Sequence, residues 1–146
     1  MDCKLVTTPA ELEQSLAVRM EVFVKEQGVS PEEEVDRHDA SPAASRHFLA
    51  TDAGAPVGAG RWIIYEPGTA KLQRIAVKRS YRGRSVGRQL VQAMERDAAQ
   101  LGFGEAILDA QCSAEAFYAK LGYETISQEP FYDAGILHVR MRKPLG

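Results

Sequence analysis

The sequence predicts a mixed α/β fold, a central mixed sheet splayed at one point with helices on both faces. Three observations carry this. Within residues 70–77, Ala70 and Leu72 share one parity, while Ile75 and Val77 share the other. Strand side chains alternate with period two, so the flip calls for one extra residue near Gln73 and Arg74, a β-bulge that splays the strand. The run then passes through Arg82-Gly83-Arg84-Ser85-Val86-Gly87 into a helix whose Val86, Leu90, Met94, Ala98 and Leu101 form an apolar stripe. Beyond it, residues 105–110 (EAILDA) return as a short strand, parallel to the first if the helix is a right-handed crossover.

The remaining elements follow in order. Residues 3–7 read as a first strand. Thr8 then supplies an N-cap, Pro9 the first helical position and Glu11 a capping box. Leu12, Leu16, Met20 and Phe23, with Val18 and Val22, give that helix an apolar face to about Val24, and Gly28 and Pro31 end regular structure. Residues 47–51 and 56–65 read as strands joined by Asp52-Ala53-Gly54-Ala55, a hairpin signal. Trp62, Ile63 and Ile64 make the second of these apolar on both faces, as in the middle of a sheet. Glu66-Pro67-Gly68 is the next turn. Gly102 is placed as the C-cap of the long helix. Ser113 is placed as N-cap of a helix through Leu121, ended by Gly122, and residues 123–128 and 136–142 close the sheet.

Charge points to an anion at the glycine turn. Residues 71–88 hold seven Lys or Arg and no Asp or Glu; the whole chain is −2, so the remainder sums to −9. A strand that feeds a helix through such a turn aims free N–H groups and a positive dipole end at one point, and phosphate is the usual occupant. No Gly-Lys pair exists for a P-loop, and the glycines lack G-x-G-x-x-G spacing.

Length and composition bound the rest. The 146 residues suit a single domain over 1–146, and 45% hydrophobic with 26% charged residues is ordinary soluble globular composition. A net charge of −2 argues against general nucleic-acid or membrane-surface binding. No signal-peptide core or spanning run is evident, and two cysteines, Cys3 and Cys112, read as reduced thiols, so a cytoplasmic location is expected. Residues 25–45 read first as a charged surface loop. The sharper alternative takes the six carboxylates of residues 26–39, set against Arg37 alone, as an electronegative wall for a cationic substrate. Asp36, His38 and Asp39 lack a second His at ligand spacing, so no metal is expected.

Residues 82–87 are similar to the acetyl-CoA signature [Q/R]-x-x-G-x-[G/A] of the GNAT N-acetyltransferases, with Ser85 standing for the first glycine. That serine keeps a usable N–H provided its φ is negative. The stretches VRMEVFVKEQGVSPEEEVDRHDA (18–40), HFLA (47–50), FYAKLGY (117–123) and FYDAGILHVRM (131–141) extend the resemblance over nearly the whole chain, to the small bacterial ElaA-like or YjcF-like branch. The resemblance implies a GNAT-like acyl-CoA N-acyltransferase fold, with acetyl-CoA as co-substrate in the wedge of the sheet. By motif position Ile75, Ala76 and Val77 would face the pantetheine, while Arg82, Gly83, Arg84, Ser85, Val86 and Gly87 would hold the pyrophosphate. Tyr118 matches the tyrosine that protonates departing CoA.

The acceptor this implies is a primary amine of a small molecule or peptide. An alkyl ammonium with a lysine-like pKa near 10.4 needs roughly 4–5 kcal/mol to lose its proton at pH 7. Direct attack therefore requires a base or water relay, a donor for the oxyanion, and an acid for the thiolate. Glu26 is the first choice of base, through water. Asp36, His38, Gln111 and His138 are placed on the acceptor side, and His138 is a further base candidate. Expected partners are acetyl-CoA and the amine, with a homodimer allowed and neither nucleic acid nor membrane. The rival reading is a non-catalytic acyl-CoA sensor or interaction module of the same fold.

Overall fold

A computed structural model describes residues 1–146. Eight strands form one sheet in the order β1-β2-β3-β4-β5-β8-β6, with β7 also paired to β8. They are β1 (Asp2–Leu5), β2 (Arg46–Asp52), β3 (Ala55–Glu66), β4 (Thr69–Val77), β5 (Glu105–Gln111), β6 (Glu124–Thr125), β7 (Phe131–Asp133) and β8 (Ile136–Pro144). Helices α1 (Pro9–Arg19), α2 (Pro31–Glu34), α3 (Val86–Gln100) and α4 (Glu115–Lys120) complete it. Only β4 and β5 run parallel; every other pairing is antiparallel.

The expected bulge sits at Arg74. Arg61 faces Gln73 and Ala59 faces Ala76, so β4 spends one more residue than β3 over this interval. Arg74 takes the extra place with φ 57, in the left-handed region. The parity flip follows: Ala70, Leu72, Ile75 and Val77 all pack in the cluster beneath α3, and Ala76 turns to the α1 face against Val18, Val22 and Ala59. Pairing of β4 with β5 runs from Thr69 and Glu105 to Leu72 and Leu108 and stops there. Both strands continue, β4 to Val77 and β5 to Gln111, so a wedge opens between them. Glycine lets α3 settle close on the sheet beside it. A Cβ at Gly58 would come within 2.9 Å of both Leu90 Cδ1 and Val86 Cγ1.

The capping box at Thr8, Pro9 and Glu11 forms as the spacing predicts. Gly102, with φ 91, closes α3: its N–H bonds Ala99 O and the Phe103 N–H bonds Ala98 O. Other elements differ from expectation. Residues Met20–Glu26 form a π-helical turn rather than more α-helix, with Gln27 N–H donating to Val22 O at 3.1 Å. An apolar stripe looks the same in either, because the wider turn displaces it by only one residue. Pro31 opens α2 instead of ending structure, with Ser30 as N-cap, a Ser-Pro start that the sequence does carry. Ser113 lies inside a short 3₁₀ turn and caps nothing. Leu101 is exposed, and Ile64 is 66% exposed, so the outer end of β3 is not sheet interior. The closing strands divide into a very short β6 and an additional β7.

The α1 face carries a buried ion network. Arg19, fully buried on the apolar stripe of α1, donates to Glu34 at 2.8 Å and to both oxygens of Asp39 at 2.7 and 2.9 Å. Arg61 donates to Asp39 at 2.8 Å and to both oxygens of Asp36. Burial would raise the Asp39 pKa, but the hydrogen bonds and charge of Arg19, with the Asp36 N–H, hold it well below the carboxylate range. Glu34, with one close guanidinium bond, goes the other way, and burial pushes it up. A lowered folded pKa means that the Asp39 contribution is complete above its unfolded value near 4 and is lost as pH falls through the folded value. Asp39→Asn removes the carboxylate that two buried guanidinium groups share, and a loss of about 3–5 kcal/mol is expected from urea unfolding at pH 7. A loss within experimental error would show that the network is dispensable.

Candidate functional site

The wedge encloses a cavity of about 320 Å³. Ile75, Ala76 and Val77 form the β4 lip and Leu108, Ala110 and Gln111 the β5 lip. Phe23 and Gln27, from the π turn and the residue after it, and Tyr118 and His138 also line the cavity. Gln27 also spans the opening, because Gln111 Nε2 donates to its Oε1 at 2.8 Å. The structure thus brings Ile75, Ala76, Val77, Arg82, Gln111, Tyr118 and His138 around one space, although they lie far apart in the chain. Glu26, Asp36 and His38 are not on its wall.

The glycine turn lies where β4 hands over to α3. Gly83 has φ 79 and Ser85 φ 65. The serine therefore occupies the left-handed region, contrary to the negative φ assumed for it; this conformation favours glycine at the position, and the Ser85 N–H is nonetheless left without a partner in the protein. Ser85 adopts it at a strain of about 1 kcal/mol. Its side chain makes no cap, and its carbonyl accepts the first bond of the helix, from Gln89 N at 3.0 Å. The backbone N–H groups of residues 83–88 have no partner in the protein. Six donors and the positive end of α3 converge there. Gly87 is needed for a different reason: a Cβ would lie 3.3 Å from Phe117 Cζ and 3.7 Å from Val77 Cγ2.

Arg82 is folded back from this turn. Its Nε donates to Val77 O at 3.0 Å, and its Nη2 lies 3.0 and 2.9 Å from the two oxygens of Glu26. Arg79 approaches the same carboxylate at 3.6 Å. Glu26 is therefore a counter-ion of Arg82 and Arg79 beside the glycine turn. Arg84 lies over the Tyr81 ring, 4.7 Å from its centroid.

The acidic stretch reaches the cavity through Glu33 and Glu34. Glu34, Asp36 and Asp39 face inward onto Arg19, Arg61 and Arg74. Asp36 also caps the following turn, accepting from His38 N at 3.0 Å, and its pKa is lowered: burial opposes this, but Arg61 outweighs it. His38 offers its carbonyl to His47 Nε2 at 2.8 Å and to Ser45 Oγ at 3.1 Å. The count of carboxylates over residues 26–39 missed their partners, which come from α1, β3 and β4. One signal was legible, since Arg19 falls on the apolar stripe of α1 at a position only a paired charge can occupy.

Tyr118 and His138 are both 9% exposed. Burial alone raises the Tyr118 pKa above the ordinary phenol value, with no charge or hydrogen bond acting on it. Its ring is held edge-on by Phe117 at 5.0 Å and Tyr123 at 6.0 Å between centroids. His138 stands opposite Gln111 in the β5–β8 ladder, with Nδ1 2.7 Å from Ile136 O and its ring stacked on Phe131. Sequence reasoning missed a third group at the cleft. Asp109 is bound by two guanidinium nitrogens of Arg140, Nε and Nη2, at 2.8 and 3.1 Å, and lies 3.3 Å from Lys71. Strand alternation could have found it, because Lys71 and Gln73 on β4 and Asp109 and Gln111 on β5 are spaced two apart. No three His, Cys, Asp or Glu side chains cluster as a metal set would.

A mixed sheet with a splayed parallel pair, a bulged lip and an N–H-rich turn at the next helix defines an acyl-CoA N-acyltransferase fold. The chain belongs to the GNAT acetyltransferase family, matching the acetyltransferase (GNAT) domain over residues 8–145. It is 42% identical over 143 residues to YjcF of Bacillus subtilis, an uncharacterised N-acetyltransferase, covering 98% of this chain and 99% of that one. Among solved structures it is similar to Escherichia coli ElaA at 23% identity, TM-score 0.84 and coverage of 97% and 98%. An aminoglycoside 6′-N-acetyltransferase complexed with coenzyme A superposes with TM-score 0.78 at 20% identity, covering 99% of this chain and 97% of that chain.

Proposed function

We propose that the protein transfers an acetyl group from acetyl-CoA to a primary amine of a small molecule or peptide by direct attack. One observation carries this reading. Pairing of β4 with β5 ends at Leu72 and Leu108, and the opening beyond is lined by Tyr118, a largely buried tyrosine with no hydrogen bond or charge acting on its hydroxyl. The coenzyme A complex of the similarly folded aminoglycoside enzyme supports CoA as the occupant.

The pantetheine pairs with the backbone of Ile75, Ala76 and Val77, and the pyrophosphate rests on the N–H groups of Gly83, Arg84, Ser85, Val86 and Gly87. Arg82 then exchanges Val77 O and Glu26 for phosphate oxygens, a stronger charge-assisted match. An N–H at the bulge, from Ile75 or Ala76, faces the thioester oxygen and stabilises the oxyanion. Tyr118 protonates the departing thiolate. Burial keeps its hydroxyl protonated at neutral pH, so a proton is on hand when sulfur charge develops. Gln111 and His138 border the acceptor.

Two variants test the roles. Gly87→Val drives a branched side chain toward Phe117 and Val77, and acetyl-CoA affinity by calorimetry is expected to fall well over tenfold (about 1.4 kcal/mol or more) with the fold retained. Unchanged affinity would remove the turn from the CoA site. Tyr118→Phe keeps the ring and loses the proton; CoA affinity stays and turnover falls by roughly 10²–10⁴. Full turnover would make Tyr118 a packing residue.

A further inference from the structure

The acceptor must lose a proton, and of the four carboxylates on the cavity wall Glu33 and Asp133 are exposed to solvent, while the other two already serve cations. Asp109 is bound by Arg140 and Lys71, and Glu34 by Arg19 with Arg74 at 3.5 Å. Glu26, which Arg82 gives up when CoA binds, does not line the cavity. A carboxylate that already serves a guanidinium is a weak base.

His138 differs in each respect. It borders the cavity, is 9% exposed, and forms no ion pair. Its Nδ1 lies 2.7 Å from Ile136 O. A carbonyl oxygen only accepts, so Nδ1 carries the hydrogen and the neutral ring presents Nε2 as a bare lone pair. Stacking on Phe131, 24° from parallel, fixes the ring plane. Orientation in the sheet matters as well. Val139 and Met141 pack beneath α3 with Tyr118, so by alternation His138 faces the opposite side of β8. Acid and base therefore reach the wedge from opposite faces, as direct transfer between two substrates requires.

We propose that His138 Nε2 is the general base, an assignment that rests on the amine-acetylation reading. The acceptor arrives as R–NH₃⁺, and one proton passes to Nε2, leaving R–NH₂ and an imidazolium. The amine lone pair forms the N–C bond at the thioester carbonyl, the C–S electron pair leaves on sulfur, and sulfur takes the Tyr118 proton. The nitrogen's second proton returns to the tyrosinate, and the imidazolium releases its proton to solvent. One proton is freed per acetyl group.

The test uses His138→Gln with two acceptors in a CoA-release assay. One is the best alkyl amine of a screen, charged at assay pH, and the other is methoxyamine, which is largely uncharged and needs no base. Relative to wild type, kcat/KM for the alkyl amine is expected to fall by roughly 10²–10⁴, with the methoxyamine rate and acetyl-CoA affinity within about threefold. As a second readout, added imidazole restores alkyl-amine turnover to His138→Ala and not to Tyr118→Phe. Equal loss on both acceptors without imidazole rescue, or no loss on the alkyl amine, overturns the base assignment while acetyl transfer by wild type stands. A wild type that releases no CoA with any amine overturns the amine-acetylation reading, and the base with it.

Discussion

One extra residue in β4 is the constraint on which the site depends. Had β4 matched β3 residue for residue, Ile75 and Val77 would face α1, and the parallel ladder with β5 could run on past Leu72. Instead Arg74 absorbs the extra place in a left-handed conformation that strains a non-glycine residue by about 1 kcal/mol. The strain is held from outside the strand, since the Arg74 guanidinium donates to the carbonyls of Glu34 and Glu33 at 3.2 and 3.3 Å. Segment 30–39 is in turn fixed to the sheet by Arg19 and Arg61. The ion network and the wedge are therefore parts of one mechanical arrangement.

Charge is divided accordingly. The basic excess of residues 71–88 splits between two tasks: Arg74 joins the buried network, whereas Arg84 stays beside the turn with its six unpartnered N–H groups and Arg82 folds back onto Glu26. Glu34, Asp36 and Asp39 of the acidic stretch supply counter-charge to the interior, and Glu33 and Glu34 also line the cavity. Such networks add little stability over an apolar core of the same volume, yet are expensive to break one partner at a time. Their value here is geometric, because they hold an irregular segment against an irregular strand.

Much of this was legible in the sequence, and the limits have physical causes. The bulge could be read because period two is strict, so a parity flip between Leu72 and Ile75 requires an odd residue within the strand. The turn at Gly83 and Gly87, the capping box at Thr8 and the parallel return at β5 are equally local signals. What stayed hidden was long-range. No spacing rule links Asp39 to Arg61, or Glu26 to Arg82, and a carboxylate run looks alike whether it faces water or arginines. The π turn escaped because it preserves the apolar stripe. His138 was visible as a histidine near the cleft, but its hydrogen bond to Ile136 O is a property of the folded hairpin.

The central claim is that the wedge joins two substrates, and amine-dependent release of CoA thiol tests it most directly. Wild-type protein, acetyl-CoA and a panel of amines should release thiol only with a productive amine, in one-to-one ratio with acetylated product by mass spectrometry. Acetyl-CoA that binds by calorimetry while no amine evokes thiol release would contradict it, and would leave a CoA-binding module in place of an enzyme.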